Sequence, residues 1–218
     1  MRTLLLTGFL FSCLATSAQR KNRQTPVITK GVYLSLNPYS IIEPEQGAIG
    51  LGIGYRFNKR IELHLQTDYL YRGILADGLH DLHGYRAIFS GKYFYQNKYG
   101  FFVGAEFRLK RYSFVDNTTI FNPQLQDTIN NFQYNPQHTI TGDAVFWGKR
   151  FKLTPNGKFE LEGHVGVGGK YRNINRKNLP PGYSKLEYMV KDMSPIPSND
   201  REIGVPYIAG AVKLILHL

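Results

Sequence analysis

Between residues 47 and 72 apolar and polar side chains alternate one by one, which predicts two long β-strands joined by a tight turn at Asn58-Lys59. In the first strand Ile49, Leu51, Ile53, Tyr55 and Phe57 share one face, and Ala48, Gly50, Gly52, Gly54 and Arg56 share the other. In the second, Ile61, Leu63, Leu65, Thr67, Tyr69 and Tyr71 alternate with Glu62, His64, Gln66, Asp68, Leu70 and Arg72. Successive side chains of a strand point to opposite faces, so the hairpin has an aliphatic face with aromatic ends and a second face of glycines and charges.

The same period recurs along the chain. It predicts strands over residues 31–37, 84–95, 99–112, 138–150, 158–171 and 204–218. Over 84–95, Tyr85, Phe89, Tyr93 and Tyr95 oppose Arg86, Ser90 and Lys92. Over 99–112, Tyr99, Phe101, Val103, Ala105, Phe107 and Leu109 oppose Gly100, Gly104, Glu106, Arg108 and Lys110. Over 158–171, Phe159, Leu161, Val165, Val167 and Tyr171 oppose Glu160, Glu162, His164, Gly166, Gly168 and Lys170. The strand at 138–150 is the least regular: Ile140, Ala144 and Phe146 are expected on the apolar face, with Thr139, Thr141 and Asp143 opposite, and Val145 and Trp147 interrupt that polar side. Residues 113–137 and 173–203 lack sustained periodicity and predict long polar loops, with a further loop at 73–83.

The connections decide the architecture. Those at 58–59, 96–98 and 151–157 are short, and those on the opposite side are longer. Short periplasmic turns, longer outer loops and an even strand number are the habit of outer-membrane barrels. The expected fold is therefore all-β, an eight-stranded antiparallel transmembrane β-barrel in an up-and-down meander over residues 30–218, with both ends periplasmic. A soluble lipocalin-like barrel shares the alternation but has no reason to place aromatics at both ends of its apolar face. Here Tyr55, Phe57, Tyr93, Tyr95, Tyr99, Phe101 and Phe159 gather at the turn ends, and Tyr69, Tyr71, Tyr85, Phe107 and Tyr171 near the loop ends, as two girdles.

Composition agrees with strands that cross a bilayer. The chain holds 22 Gly, 15 Tyr and 14 Phe in 218 residues, and after residue 18 no run is apolar long enough for a membrane helix. Residues 1–18, with Arg2, an apolar run from Leu4 to Leu14 and small residues before Gln19, read as a signal peptide cleaved after Ala18. The competing reading lipidates Cys13, the sole cysteine. Residues 19–29 form a polar, basic arm on the periplasmic side. The net charge of +11 falls to +10 without the leader, and its basic residues are scattered over alternating strands, which fits anionic headgroups better than nucleic acid.

The polar face gives the candidate chemistry. Arg56, Glu62, His64, Arg86, Lys92, Glu106, Arg108, Glu160, Glu162, His164 and Lys170 are expected inside the lumen as a polar network. An eight-stranded barrel is about wide enough for side chains to fill it, so these groups are expected to pair and plug it. The same residues allow a catalytic alternative, with His64 or His164 as base, a glutamate as orienter and Ser90 as nucleophile. Another alternative is a metal held by His80, His83, Asp77 and Asp81 in the loop at 73–83. Neither site is expected, nor is any cofactor. The triplets Asn117-Thr118-Thr119 and Asp127-Thr128-Ile129 match glycosylation patterns too short to define a site.

The leader, the GAIGLGIGYRFNKRIELHLQTDYLYR hairpin, the strand count and the strand running to the C-terminus together resemble the small OmpA/OmpX-like outer-membrane barrels, and within them uncharacterised families of about 200 residues. The resemblance covers residues 30–218 and implies fold and location rather than an activity. Its expected partners are outer-membrane lipid and lipopolysaccharide, the barrel assembly machinery, and a protein partner at the outer loops or in an envelope complex. Such barrels commonly finish in an aromatic residue, whereas this chain finishes Leu216-His217-Leu218, and a wall-anchoring role through a peptidoglycan-binding domain is not expected. The expected function is structural or interactive, against the alternatives of a lipid-modifying enzyme or a small passive porin.

Overall fold

The computed structural model describes residues 30–38, 46–72, 80–96, 100–185 and 201–218. The leader, the arm at 19–29, Asp77 and Tyr99 lie outside the described residues. Eight long strands are β1 (Gly31–Leu36), β2 (Gln46–Arg56), β3 (Ile61–Arg72), β4 (His80–Gln96), β5 (Phe101–Asn122), β6 (Asp127–Lys152), β7 (Phe159–Lys177) and β9 (Arg201–His217), and β8 (Ser184–Lys185) is a two-residue addition. Each long strand pairs antiparallel with its neighbour in the chain, and β9 pairs with both β7 and β1. The eight long strands thus form a closed up-and-down ring, with β8 laid against the far end of β5. No helix occurs among the described residues.

The short links are made by polar and left-handed residues. In the link at 57–60 the Asn58 side-chain oxygen accepts the Arg60 and Ile61 amides at 2.7 and 2.9 Å, which closes the chain before β3 begins. The link after β6 turns through Gly157 (φ 69°), whose amide donates to the Thr154 carbonyl at 3.0 Å.

The long loops expected from the sequence are shorter than predicted. Residues 113–137 are not a loop: β5 and β6 continue as a paired hairpin to Asn122↔Asp127, closed by a four-residue turn at 123–126. Likewise β4 begins at His80, placing His83 on a strand, and β7 extends to Lys177. Along this extension apolar residues fall in adjacent pairs, Phe114-Val115 and Ile120-Phe121, with Ile120 and Tyr134 buried, so the two-residue hydrophobic period is lost. Backbone ladders hold it without that signal.

The side chains are arranged the opposite way from a water-soluble barrel. Arg56, Glu62, His64 and Glu162 are at most 1% exposed, while Leu51, Val145, Val167 and Ile208 stand out at 62–80%. One strand is placed differently from the expectation. On β6 it is Ala144 and Phe146 that are buried, and Val145 and Trp147 that face outward, with Asp143. The parity follows from fit: Phe146 fills the lumen between Phe102 and His164, with ring centroids 6.2 and 4.6 Å away.

Candidate functional site

The lumen is closed near the short turns by a cluster of ions. Strand register creates it, because residues of opposite charge face each other across neighbouring strands: Arg56↔Glu62, Glu62↔Lys92 and Arg150↔Glu162. Glu62 on β3 and Glu162 on β7 stand on opposite sides of the ring. Glu62 accepts hydrogen bonds from the Tyr33 hydroxyl (2.5 Å), Arg56 (2.9 Å), Lys92 (3.1 Å) and both terminal nitrogens of Arg150 (2.7 and 2.8 Å). Glu162 accepts Lys92 at 2.7 and 2.8 Å and Arg150 through Nε at 3.0 Å and also through Nη2. Lys92 and Arg150 therefore span the diameter.

The cluster is balanced and floored by rings. Arg56, Lys92 and Arg150 meet Glu62, Glu162 and Glu160, the last lying 3.6 Å from Arg150 and 2.8 Å from His217 Nε2. Arg56 and Arg150 lie over the Phe94 ring at 4.4 and 5.1 Å, and Lys92 over Phe102 at 5.4 Å. Buried carboxylates survive only when their lone pairs are occupied, and here five donor atoms from four residues converge on Glu62 alone.

Beyond the cluster the network breaks into pairs. Arg86 donates to Asp68 at 2.7 Å, Gln66 also reaches Asp68 at 2.9 Å, and half-buried Arg108 pairs with Glu106 at 2.5 Å. Lys170 points to the lumen side of β7 but is half-buried toward its far end, apart from the cluster. Further up, Ala48, Leu70, Leu82 and Tyr112 form a buried apolar core, with Phe114 and Ile140 against it.

The sequence reading missed Arg150, Tyr33 and Lys213. Arg150 stands at the edge of the least regular strand, whose buried face is the one the sequence pattern expects on the outside. A signal existed: glycines share the charged face of the first hairpin, and Gly142 and Gly148 share the parity of Arg150.

The catalytic alternative is not assembled in the lumen. Ser90 Oγ makes no hydrogen bond to a protein group, and neither does either ring nitrogen of His164. His64 Nε2 instead meets Ser35 Oγ at 2.7 Å, and its Nδ1 faces Lys213 at 3.5 Å rather than a carboxylate. The metal alternative is not assembled either: no three His, Cys, Asp or Glu side chains come together among the described residues. Both nitrogens of His83 are occupied, by the Asp81 carbonyl oxygen at 2.7 Å and Ser113 Oγ at 3.1 Å.

The expected girdle residues lie on the outer face. Tyr55, Phe57, Tyr93, Tyr95 and Phe159 are 36–49% exposed near the turns, and Tyr69, Tyr85 and Phe107 are 50–60% exposed further up. Phe101, Tyr71 and Tyr171 are half-buried. Compared with known proteins, the chain matches no family model, no curated protein and no solved structure.

Proposed function

We propose that the chain is an integral outer-membrane barrel of the small OmpA/OmpX-like kind, with a plugged polar lumen and a structural or interaction role at its loop end. The observation that carries this reading is the inversion of the two faces. Soluble monomers rarely expose a continuous apolar surface beyond about 300–600 Å², because water must then order against it. Here the outer face of β2 alone exposes Ile49, Leu51 and Ile53 at 52–68%, and an apolar groove of about 660 Å³ runs past Ile61, Tyr93, Val103 and Trp147. Lipid chains are the solvent that such a surface suits. The ion cluster disfavours a passive porin, since a permeant ion would have to separate Glu62 and Glu162 from Arg150 and Lys92. The β5–β6 hairpin and residues 178–185 packed on it offer the surface for a partner.

The test replaces Val103, which is 44% exposed on the outer face, with arginine. In a bilayer Val103→Arg is expected to destabilise the inserted barrel by about 2–4 kcal/mol. In a soluble barrel a surface arginine would be nearly neutral. Carbonate washing should leave the wild-type chain in the outer-membrane fraction, and planar bilayers should show no stable nanosiemens conductance. Recovery in the soluble periplasmic fraction would remove the proposal. For the interaction role, crosslinking should capture a partner that is lost when the hairpin tip is deleted.

A further inference from the structure

We propose that His83 and Ser113 form a nucleophilic dyad on the outer face at the loop end of the barrel, acting on the acyl ester of an amphiphile that reaches this edge. The two residues are direct neighbours across β4 and β5, and the Ser113 hydroxyl lies 3.1 Å from His83 Nε2. The protonation of the ring follows from its other contact. His83 Nδ1 lies 2.7 Å from the backbone carbonyl of Asp81, and a carbonyl oxygen can only accept. Nδ1 therefore carries a hydrogen, and in the neutral form of the ring the lone pair lies at Nε2, toward the serine hydroxyl. That is the arrangement a general base needs.

The backbone is bent to achieve this. The β4–β5 register shifts between His80 and His83, and Asp81 adopts a left-handed conformation (φ 51°). A break of this kind re-aims side chains, and aspartate held at positive φ costs local strain that the surrounding ladder must support. Its consequence is to turn the Asp81 carbonyl onto the imidazole.

A pocket adjoins the dyad. It has a volume of about 200 Å³ and is lined by Asp81, His83, Ser113, Phe114, Val115, Asn135 and Gln137. That suits an ester group and the first carbons of a chain, with the remainder lying over the apolar outer surface below Tyr85. Gln137 faces Ser113 across β5 and β6 and receives Arg111 Nη2 on its carbonyl oxygen at 2.9 Å. This fixes the amide orientation and leaves its NH2 as the donor for a developing oxyanion. Arg111, one position below on the same outer face, supplies positive charge for a phosphate-bearing headgroup.

The reaction balances without a cofactor. Ser113 Oγ attacks the ester carbonyl carbon while its proton passes to His83 Nε2. The tetrahedral intermediate collapses, the ester C–O bond breaks, and His83 returns the proton to the departing alcohol. Water then enters by the same route and gives up a proton to His83 as its oxygen attacks the acyl carbon; the acyl–Oγ bond breaks, His83 passes that proton to Ser113 Oγ, and the carboxylic acid leaves. The Ser35–His64 pair in the lumen differs on both counts that matter: it is buried, and Lys213 faces its Nδ1.

Only the substrate class rests on the membrane reading; the dyad does not. The full chain, folded in detergent and verified by its gel mobility before heating, is treated with a fluorophosphonate probe and digested for mass spectrometry. The expected adduct is on Ser113, absent in Ser113→Ala and retained in Ser90→Ala. Hydrolysis of p-nitrophenyl butyrate should fall by about 10²-fold or more in His83→Gln, the scale of general-base participation. A folded wild-type chain with neither adduct nor hydrolysis above Ser113→Ala overturns the dyad. An adduct on Ser113 without release of fatty acid from phosphatidylglycerol vesicles carrying the protein overturns the amphiphile as substrate. Failure of the membrane reading is recognised separately, by carbonate extraction.

Discussion

The two ends of the lumen are closed by opposite means. At the turn end, ions from β2, β3, β4, β6 and β7 meet at full burial; at the loop end, Ala48, Leu70, Leu82 and Tyr112 pack as an apolar core. The difference is one of specificity. Apolar side chains tolerate small shifts of strand register, whereas the contacts of Glu62 with Arg150 and of Glu162 with Lys92 fix which strands oppose one another across the ring. A slip of one residue would turn a charge outward into the apolar face. The turn end therefore sets the register and the loop end is left to fill space. Strained and reactive positions sit at the loop end, where register is held by simple ladders.

Removing the central cation should break this contrast most severely. Arg150→Met leaves Glu62 and Glu162 buried with fewer donors, and an expected loss of about 3–5 kcal/mol follows from an uncompensated buried charge. The measurement is denaturant unfolding in micelles, followed by Trp147, the only tryptophan in the chain. If Arg150→Met and wild type share one midpoint, the ion cluster does not hold the barrel. At the apolar end, Leu70→Ala should cost about 2–4 kcal/mol through lost burial and the cavity left behind. It should leave the turn-end register intact, which cross-strand disulfide trapping between outward positions of β3 and β4 would report.

A smaller effect is expected where glycine makes room for the cluster. A Cβ on Gly54 would lie 2.0 Å from Tyr33 Cζ, so the ring would have to move away from Glu62. Gly54→Ala should cost about 1–3 kcal/mol by overpacking. Combined with Tyr33→Leu, which removes the obstructing phenol ring, most of that cost should disappear. A sum of the two single effects would show that Tyr33 is not what confines Gly54.

What the sequence disclosed, and what it withheld, follows the same division. Alternation placed Arg56, Glu62, His64, Lys92, Glu106 and Glu162 on the inner face, because between an apolar exterior and a charged interior every residue must choose a side. On β6 that choice was obscured by adjacent aromatics, Phe146 and Trp147, each acceptable on either face by hydropathy alone. Alternation alone therefore expects the opposite parity for this strand and leaves Arg150 out of the lumen, where the structure buries it. Along the β5–β6 extension apolar residues fall in adjacent pairs, Phe114-Val115 and Ile120-Phe121, so alternation is lost and the hairpin reads as a loop. The His83–Ser113 pair was invisible for the same reason: it depends on the Asp81 conformation and on register, neither of which is written in the order of polar and apolar residues.

The smallest expected effect is at the far end of the β5–β6 hairpin and separates local docking from global stability. The Tyr183 hydroxyl donates to Asp127 Oδ2 at 2.5 Å, and the turn preceding it is closed by the Tyr183 amide on the Pro180 carbonyl at 3.1 Å. That hydrogen bond to a carboxylate, with the negative charge behind it, raises the phenol above its ordinary value. The sign of the pH dependence follows from the group that is stabilised. Protonated Tyr183 can donate, while the phenolate cannot and repels Asp127. Docking is therefore intact below the ordinary phenol value of about 10 and is lost as pH rises through the higher value of the docked state. Absorbance difference titration of wild type against Tyr183→Phe should isolate this one late-ionising phenol. Tyr183→Phe should speed amide exchange over residues 178–185 while leaving the unfolding midpoint of the barrel where it was. A shift of that midpoint would mean that the loop end is coupled to the ion cluster, and the independence of the two closures would have to be given up.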